Sequence, residues 1–151
     1  EGGLLVFSTF GPDTLVELRE AYVQAGFEPP LSPFAAIQQV GDALVAQGFK
    51  NPVIERDAYT LTYADTTALM RELKAIGATD ARHDRPRGLS GRGRHRAVAA
   101  AYESLRRDGV LPSTWEVVTA MAWAPPPGAA RREGGADIAT FPVDKLTIRK
   151  R

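Results

Sequence analysis

The stretch LLVFSTFGPDTLVELREA, residues 4 to 21, runs from an apolar segment through a Gly-Pro turn into an amphipathic helix. Leu4 to Phe10 shows no clean alternation of apolar and polar residues, which predicts a strand buried on both faces of a parallel sheet. Gly11 ends this strand, and Pro12 suits the first position of a helix. A lone buried strand needs neighbours to pair with. We therefore expect part of the sheet, and the segment that supplies it, to be missing from this chain.

Four helices and two further strands are predicted along the rest of the chain. The alternation in VIERDAYTLTY and in STWEVVTAMAW indicates strands, and the second has one side that we interpret as core. The predicted order is strand, helix, helix, strand, helix, helix, strand. The helical stripes are Leu15, Leu18 and Tyr22 before Gly26; Ile37, Val40 and Leu44 between Ser32-Pro33 and Gly48; Leu69, Leu73 and Ile76 between Asp65 and Gly77; and Val98, Tyr102 and Leu105 before Gly109. The interpreted core side of the last strand comprises Trp115, Val117, Thr119, Met121 and Trp123.

The composition excludes several classes of protein. The 151 residues include no cysteine, so disulfides, thiolate metal sites and a cysteine nucleophile are ruled out, and a reducing cytoplasm is the expected location. No run of about 18 apolar residues is present, which argues against a membrane protein. Residues 124–151 form a Pro/Gly-rich and basic tail, and we expect its segment APPPGAARREGGAD to be mobile.

Positive charge is concentrated between residues 82 and 96. This segment has one acid, Asp84, and six arginines: Arg82, Arg85, Arg87, Arg92, Arg94 and Arg96. One interpretation is a solvated, flexible loop, and another is a docking surface for an acidic protein partner. Nucleic-acid binding is disfavoured because the segment contains no aromatic residue that could stack on bases. Both alternatives for the segment stay open.

Other candidate sites have weaker support. His83 and His95 lie twelve positions apart without a carboxylate cluster of metal-ligand spacing, so we predict surface histidines and no metal site. Asp42, Glu55 and Asp57 are predicted on a helix and on the exposed positions of a strand, which does not favour an acid-base set. The GLSGRG segment has the wrong spacing for a dinucleotide-binding turn and follows no strand. We therefore predict no cofactor-binding residues in this chain.

Several segments in a fixed order resemble a known family. FSTFGPDTLVELREA, VGDALVAQGFKNPVIERDAYTLTY, LMRELKAIGATDA, RPRGLSGRGRHR and DGVLPSTWEVVTAMAW are together similar to the C-terminal half of the malonyl-acyl-carrier-protein O-methyltransferases. This family uses S-adenosylmethionine (SAM) at the start of biotin synthesis. One departure is visible, because Gln38 and Gln39 stand where the family often carries a His-Asp pair.

The resemblance implies an α/β fold, the C-terminal part of a Rossmann-like class I methyltransferase. The three strands would correspond to the fifth, sixth and seventh of that sheet, with the SAM-binding N-terminal half absent. Residues 1–123 would be the methyltransferase part, residues 65–109 a helical insertion within it, and residues 124–151 the tail.

The reaction implied by the resemblance is transfer of a methyl group from SAM to the free carboxylate of malonyl-acyl-carrier protein. A carboxylate is already ionised at neutral pH, so no general base is needed and positioning supplies most of the catalysis. An arginine would suit the role of holding the carboxylate. The implied partner is the acyl carrier protein, with no nucleic acid or membrane.

Ligands of open α/β sheets bind at the carboxyl ends of strands, which makes Ser8, Thr9, Phe10 and Gly11 the candidate substrate-binding residues. The alternative is that Ser8 and Thr9 only satisfy backbone groups around the Gly-Pro turn. Two functions remain open at this point. One is a methyltransferase fragment that needs its N-terminal half, and the other is a non-catalytic domain that binds an acidic partner through its arginine-rich loop.

Overall fold

The computed structural model describes residues 2–78, 91–125, 131–133 and 136–138. The main elements follow the predicted order: β1 (Leu4–Phe10), α1 (Val16–Gln24), α2 (Ile37–Ala46), β2 (Lys50–Tyr63), α3 (Thr66–Ala75), α4 (Arg92–Glu103) and β3 (Leu111–Trp123). Two short strands, β4 (Arg131–Glu133) and β5 (Ala136–Ile138), pair in antiparallel orientation. The predicted α/β class is confirmed, while the numbering of its strands within a larger sheet stays a prediction.

The three long strands form one sheet in the order β1, β3, β2, so the last of them lies between the first two. The chain divides into two compact units, which are described separately. The first unit takes in the described residues of Glu1–Thr9, Ala35–Arg56 and Val118–Arg151, and the second takes in those of Phe10–Phe34 and Asp57–Val117.

Two helices begin later than their sequence signals predict. Pro12 is the second residue of a β-turn, in which the Thr14 amide donates to the Gly11 carbonyl at 3.1 Å, and α1 starts only at Val16. Ser32 and Pro33 precede α2, which starts at Ile37 after Ala36. The predictions for these starts were wrong because proline also suits turns.

The start of α3 agrees with its prediction. The Asp65 carboxylate accepts a hydrogen bond from the Ala68 amide at 2.8 Å, as expected of a helix N-cap. Gly77 ends the helix with a φ of +76°, a conformation that other residues rarely adopt.

The larger core belongs to the second unit. It joins residues of α1, α3 and α4 with the beginning of β3 and the end of β2, and its members include Leu18, Leu69, Val98, Tyr102 and Leu111. The helical stripes predicted from the sequence supply most of these side chains. Two stripe residues differ: Ile76 follows α3 and is 58 % exposed, and Leu105 lies beyond the end of α4.

The first unit has a smaller core. Val40 and Leu44 of α2 pack with Ala120 and Ala122 of β3, and with Phe7, Phe49 and Ile54 at the edge of the cluster. Gln39 has a structural role at the start of α2, because its side-chain oxygen accepts a hydrogen bond from the Ala36 amide at 2.8 Å. This helix therefore has a polar side chain stabilising its first turn.

Strand β1 is not buried on both faces as predicted. Leu4, Leu5 and Val6 are exposed, with Val6 at 58 %. The strand lies at one end of the strand order, so in the described part of the chain it has a neighbour on one side. Leu4, Leu5 and Val6 are therefore uncovered within the described residues, while Phe7 packs at the edge of the smaller core.

Burial changes sides along β3. Trp115 is buried as predicted. Met121 and Trp123, which were predicted to share its buried face, are 42 % and 48 % exposed. The buried residues of this half are Val118, Ala120 and Ala122, on the opposite face. The small alanines pack against α2, so the core interpretation was wrong for Met121 and Trp123.

None of the helices that the structure describes is both long and apolar enough to cross a bilayer.

Candidate functional site

The turn that follows β1 is held by one residue of β3. The amide of Gly11 donates to the carbonyl of Glu116 at 2.9 Å, and the amide of Asp13 donates to the Oε2 atom of Glu116 at 2.7 Å. The Thr14 hydroxyl donates to the same carbonyl at 3.0 Å and accepts from the Glu116 amide at 3.1 Å. Glu116 is 2 % exposed, so both its backbone and its carboxylate are used to shape this turn.

Gly11 is required by this arrangement. A Cβ atom placed on Gly11 would lie 2.5 Å from Oε2 and 2.7 Å from Cγ of Glu116. Any side chain at position 11 would therefore displace the buried carboxylate. Gly11, predicted to end the strand, is therefore needed at the carboxyl end of β1 because the Glu116 side chain leaves no room for a Cβ atom.

A second carboxylate supports the start of α1. Glu17 accepts hydrogen bonds from the amide and hydroxyl of Thr114, and the Leu15 amide donates to the Thr114 carbonyl at 2.7 Å. Leu15 has a φ of 57°, which is uncommon outside glycine. Since its side chain is 3 % exposed, burial in the core accompanies this strained conformation.

The charge of Glu17 also acts on Tyr102. Burial raises the pKa of the Tyr102 hydroxyl well above its usual range, and the nearby Glu17 carboxylate raises this pKa further. The hydroxyl donates to the carbonyl of Pro112 at 2.7 Å. Tyr102 is therefore a neutral, hydrogen-bonded core residue.

An apolar cavity of 310 Å³ lies beside this turn in the second unit. Its walls include Phe10, Leu15, Phe34, Leu73 and Trp115, and none of the described residues that line it is charged. The Phe10 ring lies 5.3 Å from the Trp115 ring and 5.9 Å from the Phe34 ring, measured between centroids. These two aromatic contacts hold the Phe10 ring in position in the cavity wall.

Two buried polar groups of the second unit are neighbours. The Nε1 atom of Trp115 and the hydroxyl of Tyr63 are buried, and neither makes a hydrogen bond of standard geometry within the part of the chain that the structure describes. Burial raises the pKa of Tyr63 and the negative charge of Glu72 raises it further, while a hydrogen bond from the Trp115 side chain lowers it. The Trp115 donor is therefore directed at Tyr63, as expected of buried polar groups, which usually have a partner.

The arginine-rich segment is partly a helix. Arg92, Arg94 and Arg96 lie in the first half of α4, so the predicted loop was wrong for these three, while Arg82, Arg85, Arg87 and His83 lie outside the described residues. Arg92 and Arg96 are exposed and four positions apart, which places them on one face of the helix. His95 is exposed, as predicted.

Arg94 has contacts within the second unit. Its guanidinium lies 5.4 Å from the centre of the Tyr22 ring and 5.3 Å from that of Phe27. It also donates to the carbonyl of Glu28 at 3.1 Å. Arg94 therefore fixes the beginning of the loop that continues to the cavity wall at Pro30 and Leu31.

The four predicted substrate-binding residues have different environments. Phe10 lines the cavity and Gly11 is buried under Glu116. Ser8 is exposed and Thr9 half-buried, and both belong to the first unit. In the described structure the hydrogen bonds of the Gly-Pro turn come from Thr14 and Glu116, so Ser8 and Thr9 do not have that structural role.

Sequence reasoning missed Glu116, Thr14 and Glu17. A signal was available for the first, since a glutamate inside the apolar stretch TWEVV requires either an exposed position or partners. Metal binding has no support among the described residues, which contain no group of three or more histidines, cysteines or acids suited to an ion.

Comparisons with known proteins give relatives of high similarity. The chain is 55 % identical to the malonyl-[acyl-carrier protein] O-methyltransferase of Xylella fastidiosa over 151 residues, which is 99 % of this chain and 51 % of the relative. It is 50 % identical to the protein of that name from Methylovorus sp. over 132 residues, 87 % of this chain and 45 % of the relative.

A third relative carries a second activity in its name. The biotin biosynthesis bifunctional protein BioHC of Saccharophagus degradans is 40 % identical over 122 residues, 76 % of this chain and 22 % of that protein. No protein-family model matches the chain.

The chain spans about half the length of the methyltransferases it matches. These relatives are named as O-methyltransferases, in agreement with the resemblance of the sequence segments. Over about half of their length, the chain is therefore homologous to the malonyl-[acyl-carrier protein] O-methyltransferases.

Proposed function

We propose that this chain is the C-terminal half of a SAM-dependent methyltransferase that esterifies the free carboxylate of malonyl-acyl-carrier protein at the start of biotin synthesis. The observation that carries the proposal is 55 % identity to a malonyl-[acyl-carrier protein] O-methyltransferase over 99 % of the chain. On this basis β1, β2 and β3 are the fifth, sixth and seventh strands of a class I sheet. A cysteine-free chain is compatible with a cytoplasmic enzyme.

The chemistry of the cavity beside Phe10 supports placing the SAM site in the other half of the protein. The cavity in the second unit has an apolar wall without a charged residue, whereas a nucleoside needs hydrogen-bonding partners for its ribose and base. We therefore assign the cofactor to the other half of the protein. The function of this half is to hold and orient the acyl substrate, which is the main requirement when the carboxylate needs no activation.

Titration of the chain with SAM tests whether the cofactor binds only to the other half of the protein. We expect no heat of binding in a calorimeter, and methyl transfer to malonyl-acyl-carrier protein only with the full-length protein. Binding of SAM by the chain alone would contradict the assignment of the cofactor to the other half. Full-length protein that binds carrier protein but transfers no methyl group would instead support the non-catalytic alternative.

We further propose that Arg92 and Arg96 dock the acidic carrier protein. Cations in the first turn of a helix are unfavourable next to the positive end of the helix dipole. Arg92 is nevertheless the first residue of α4, where the first turn contains no acidic residue, and Arg96 lies one turn further along. Their exposure on one helix face suits a complementary anionic surface.

Charge reversal tests the docking surface. The double substitution Arg92→Glu with Arg96→Glu should raise the Kd for malonyl-acyl-carrier protein by about tenfold at low salt, equivalent to roughly 1.4 kcal/mol. Arg71→Glu with Lys74→Glu is the matched control, because it makes the same change in charge at exposed positions of α3. If both double substitutions weaken binding of the carrier protein equally, the effect comes from net charge and not from a docking surface. Unchanged affinity after substitution of Arg92 and Arg96 would contradict the proposed docking surface. Arg94 is left intact because it contacts Tyr22, Phe27 and Glu28.

A further inference from the structure

The backbone amides of the turn at residues 11–14 are all hydrogen-bonded within the protein. Those of Gly11 and Asp13 donate to the carbonyl and to the Oε2 atom of Glu116, and that of Thr14 donates to the Gly11 carbonyl. Pro12, between them, has no amide hydrogen. A ligand beside the 11–14 turn would therefore meet a surface whose shape is set by internal hydrogen bonds, and not a cradle of open amides.

Glu116 is the partner on which the 11–14 turn depends. It is a residue of β3, and its carboxylate accepts from Asp13, 103 positions away in the sequence. Burial of a carboxylate is unfavourable unless hydrogen bonds compensate for it, so the contacts of this side chain account for a glutamate at a buried position. The Thr14 hydroxyl adds two further hydrogen bonds to the backbone of Glu116. Backbone and side chain of Glu116 together fix the turn on β3.

Two observations support a ligand site beside the 11–14 turn. Open α/β sheets bind their ligands at the carboxyl ends of strands, and this turn directly follows the carboxyl end of β1. The 310 Å³ cavity of the second unit is lined by Phe10, Thr14 and Leu15, which lie within the turn or next to it. Movement of the turn would therefore change the surface that a ligand meets there.

We propose that Glu116 is a positioning residue for methyl transfer, which holds the 11–14 turn and the preceding Phe10 ring against the acyl group of the substrate. This inference rests on the proposed function, because the acyl group is that of malonyl-acyl-carrier protein. Glu116 itself does not touch the substrate, since its carboxylate is buried and engaged by Asp13. It acts through Phe10, whose ring also lies 5.3 Å from the Trp115 ring between centroids.

Positioning matters for this reaction because the substrate carboxylate needs no general base. The rate then depends on how well the reacting oxygen and the methyl group are aligned, and small displacements of the protein reduce it strongly. Loss of the Glu116 side chain would leave the Asp13 amide without its acceptor and allow the turn to move. Since the carrier protein is assigned to Arg92 and Arg96, we expect the loss to appear in kcat and not in the affinity for the carrier protein.

Kinetics of the full-length protein with malonyl-acyl-carrier protein test this inference. Glu116→Ala should lower kcat about tenfold or more. The Kd for the carrier protein, measured by calorimetry, should change by less than about twofold. Glu116→Gln should retain most of the parent kcat, because its side-chain oxygen can still accept from Asp13. Glu17→Ala is the matched control and should leave kcat unchanged, because Glu17 also bonds to β3, through Thr114, but outside the 11–14 turn.

Gly11→Ala disturbs the same contact from the opposite side. The added methyl group would lie 2.5 Å from the Oε2 atom of Glu116, so this change should also lower kcat. In the Glu116→Ala protein the clashing side chain is gone, and Gly11→Ala should have little further effect. The two losses are therefore expected not to multiply, as for residues in direct contact. Urea unfolding of each variant gives the folded fraction, by which every kcat is corrected.

A merely structural role of Glu116 predicts a smaller folded fraction and an unchanged kcat per folded molecule, and that result would overturn the inference. A kcat in Glu116→Gln as low as in Glu116→Ala, an equal loss in Glu17→Ala, or losses that multiply in the double variant would also overturn it.

If Glu116→Ala does not fold, Gly11→Ala decides, since a parent-like kcat there would contradict the role of the turn. A full-length parent protein that transfers no methyl group would overturn the proposed function together with this inference. An active parent with an unaffected Glu116→Ala variant would overturn the inference alone.

Discussion

Gly11 and Glu116 form the tightest packing at the carboxyl end of β1. Gly11→Ala would place a methyl group 2.5 Å from the Glu116 Oε2 atom, and we expect a loss of about 1 to 3 kcal/mol in the free energy of unfolding. Gly93→Ala is the control, because no heavy atom lies within 4 Å of its added Cβ. Urea unfolding should show a loss at position 11 and none at position 93, and equal midpoints would contradict the packing argument.

The raised pKa of Tyr102 predicts that the chain loses stability at alkaline pH. Its pKa is raised in the folded chain, first by burial and then by the charge of Glu17, above a value of about 10 in the unfolded chain. The stabilising contribution is thus complete below pH ~10 and is lost as the pH rises above this, because the unfolded state can release the proton and the folded state resists doing so.

Urea unfolding between pH 8 and 11 checks this prediction. Tyr102→Phe should cost about 0.5 to 1.5 kcal/mol at pH 8 through loss of the hydrogen bond to Pro112. Above pH ~10 the variant should lose stability less steeply than the parent chain, with the remaining slope due partly to Tyr63, whose pKa is also raised. Parallel pH profiles would contradict the role of Tyr102.

At the scale of elements, α3 and α4 differ in how their first turns are stabilised. Asp65 caps α3 through the Ala68 amide, whereas Gly91 before α4 offers no side chain. Asp65→Ala should lower stability by about 1 kcal/mol, and Asp65→Asn should retain most of the parent value. Thermal or urea unfolding of the three proteins measures the difference, and equal losses in both variants would assign the effect to charge instead of capping.

Element boundaries show the limits of local signals. The existence and order of the seven main elements followed from apolar periodicity and, for β1, from a short apolar run. The ends at Gly26, Gly48 and Gly77 followed from the need for a positive φ. The starts at Pro12 and Ser32-Pro33 were misplaced, because proline is as suitable in a turn as in a first helical turn. In the Gly-Pro case the turn is selected by hydrogen bonds to Glu116, which lies about a hundred residues away in the sequence.

At the scale of the whole molecule, the apolar strand β1 leaves Leu4, Leu5 and Val6 uncovered among the described residues. If the chain is half of a larger sheet, the other half would shield Val6, which is 58 % exposed here. Val6→Lys should therefore change the stability of the chain by no more than about 0.5 kcal/mol and reduce its self-association. In the full-length protein the same change should cost about 1 kcal/mol or more.

Light scattering and urea unfolding of both proteins, with and without the substitution, measure this contrast. A matched control is Val45→Lys, at an exposed position of α2. Equal effects of Val6→Lys in the chain and in the full-length protein would mean that β1 is a solvent-exposed edge in both.

The α/β class, the order of the elements, the helical stripes of the larger core and the family of the relatives could all be inferred from the sequence, because they depend on periodicity and on motifs within short segments. The buried face of β3, the turn shaped by Glu116 and Thr14, and the contacts of Arg94 with Tyr22 and Phe27 became visible only in the folded chain. These three features have a common cause. Burial and hydrogen bonding depend on partners far apart in the chain, which local patterns do not specify.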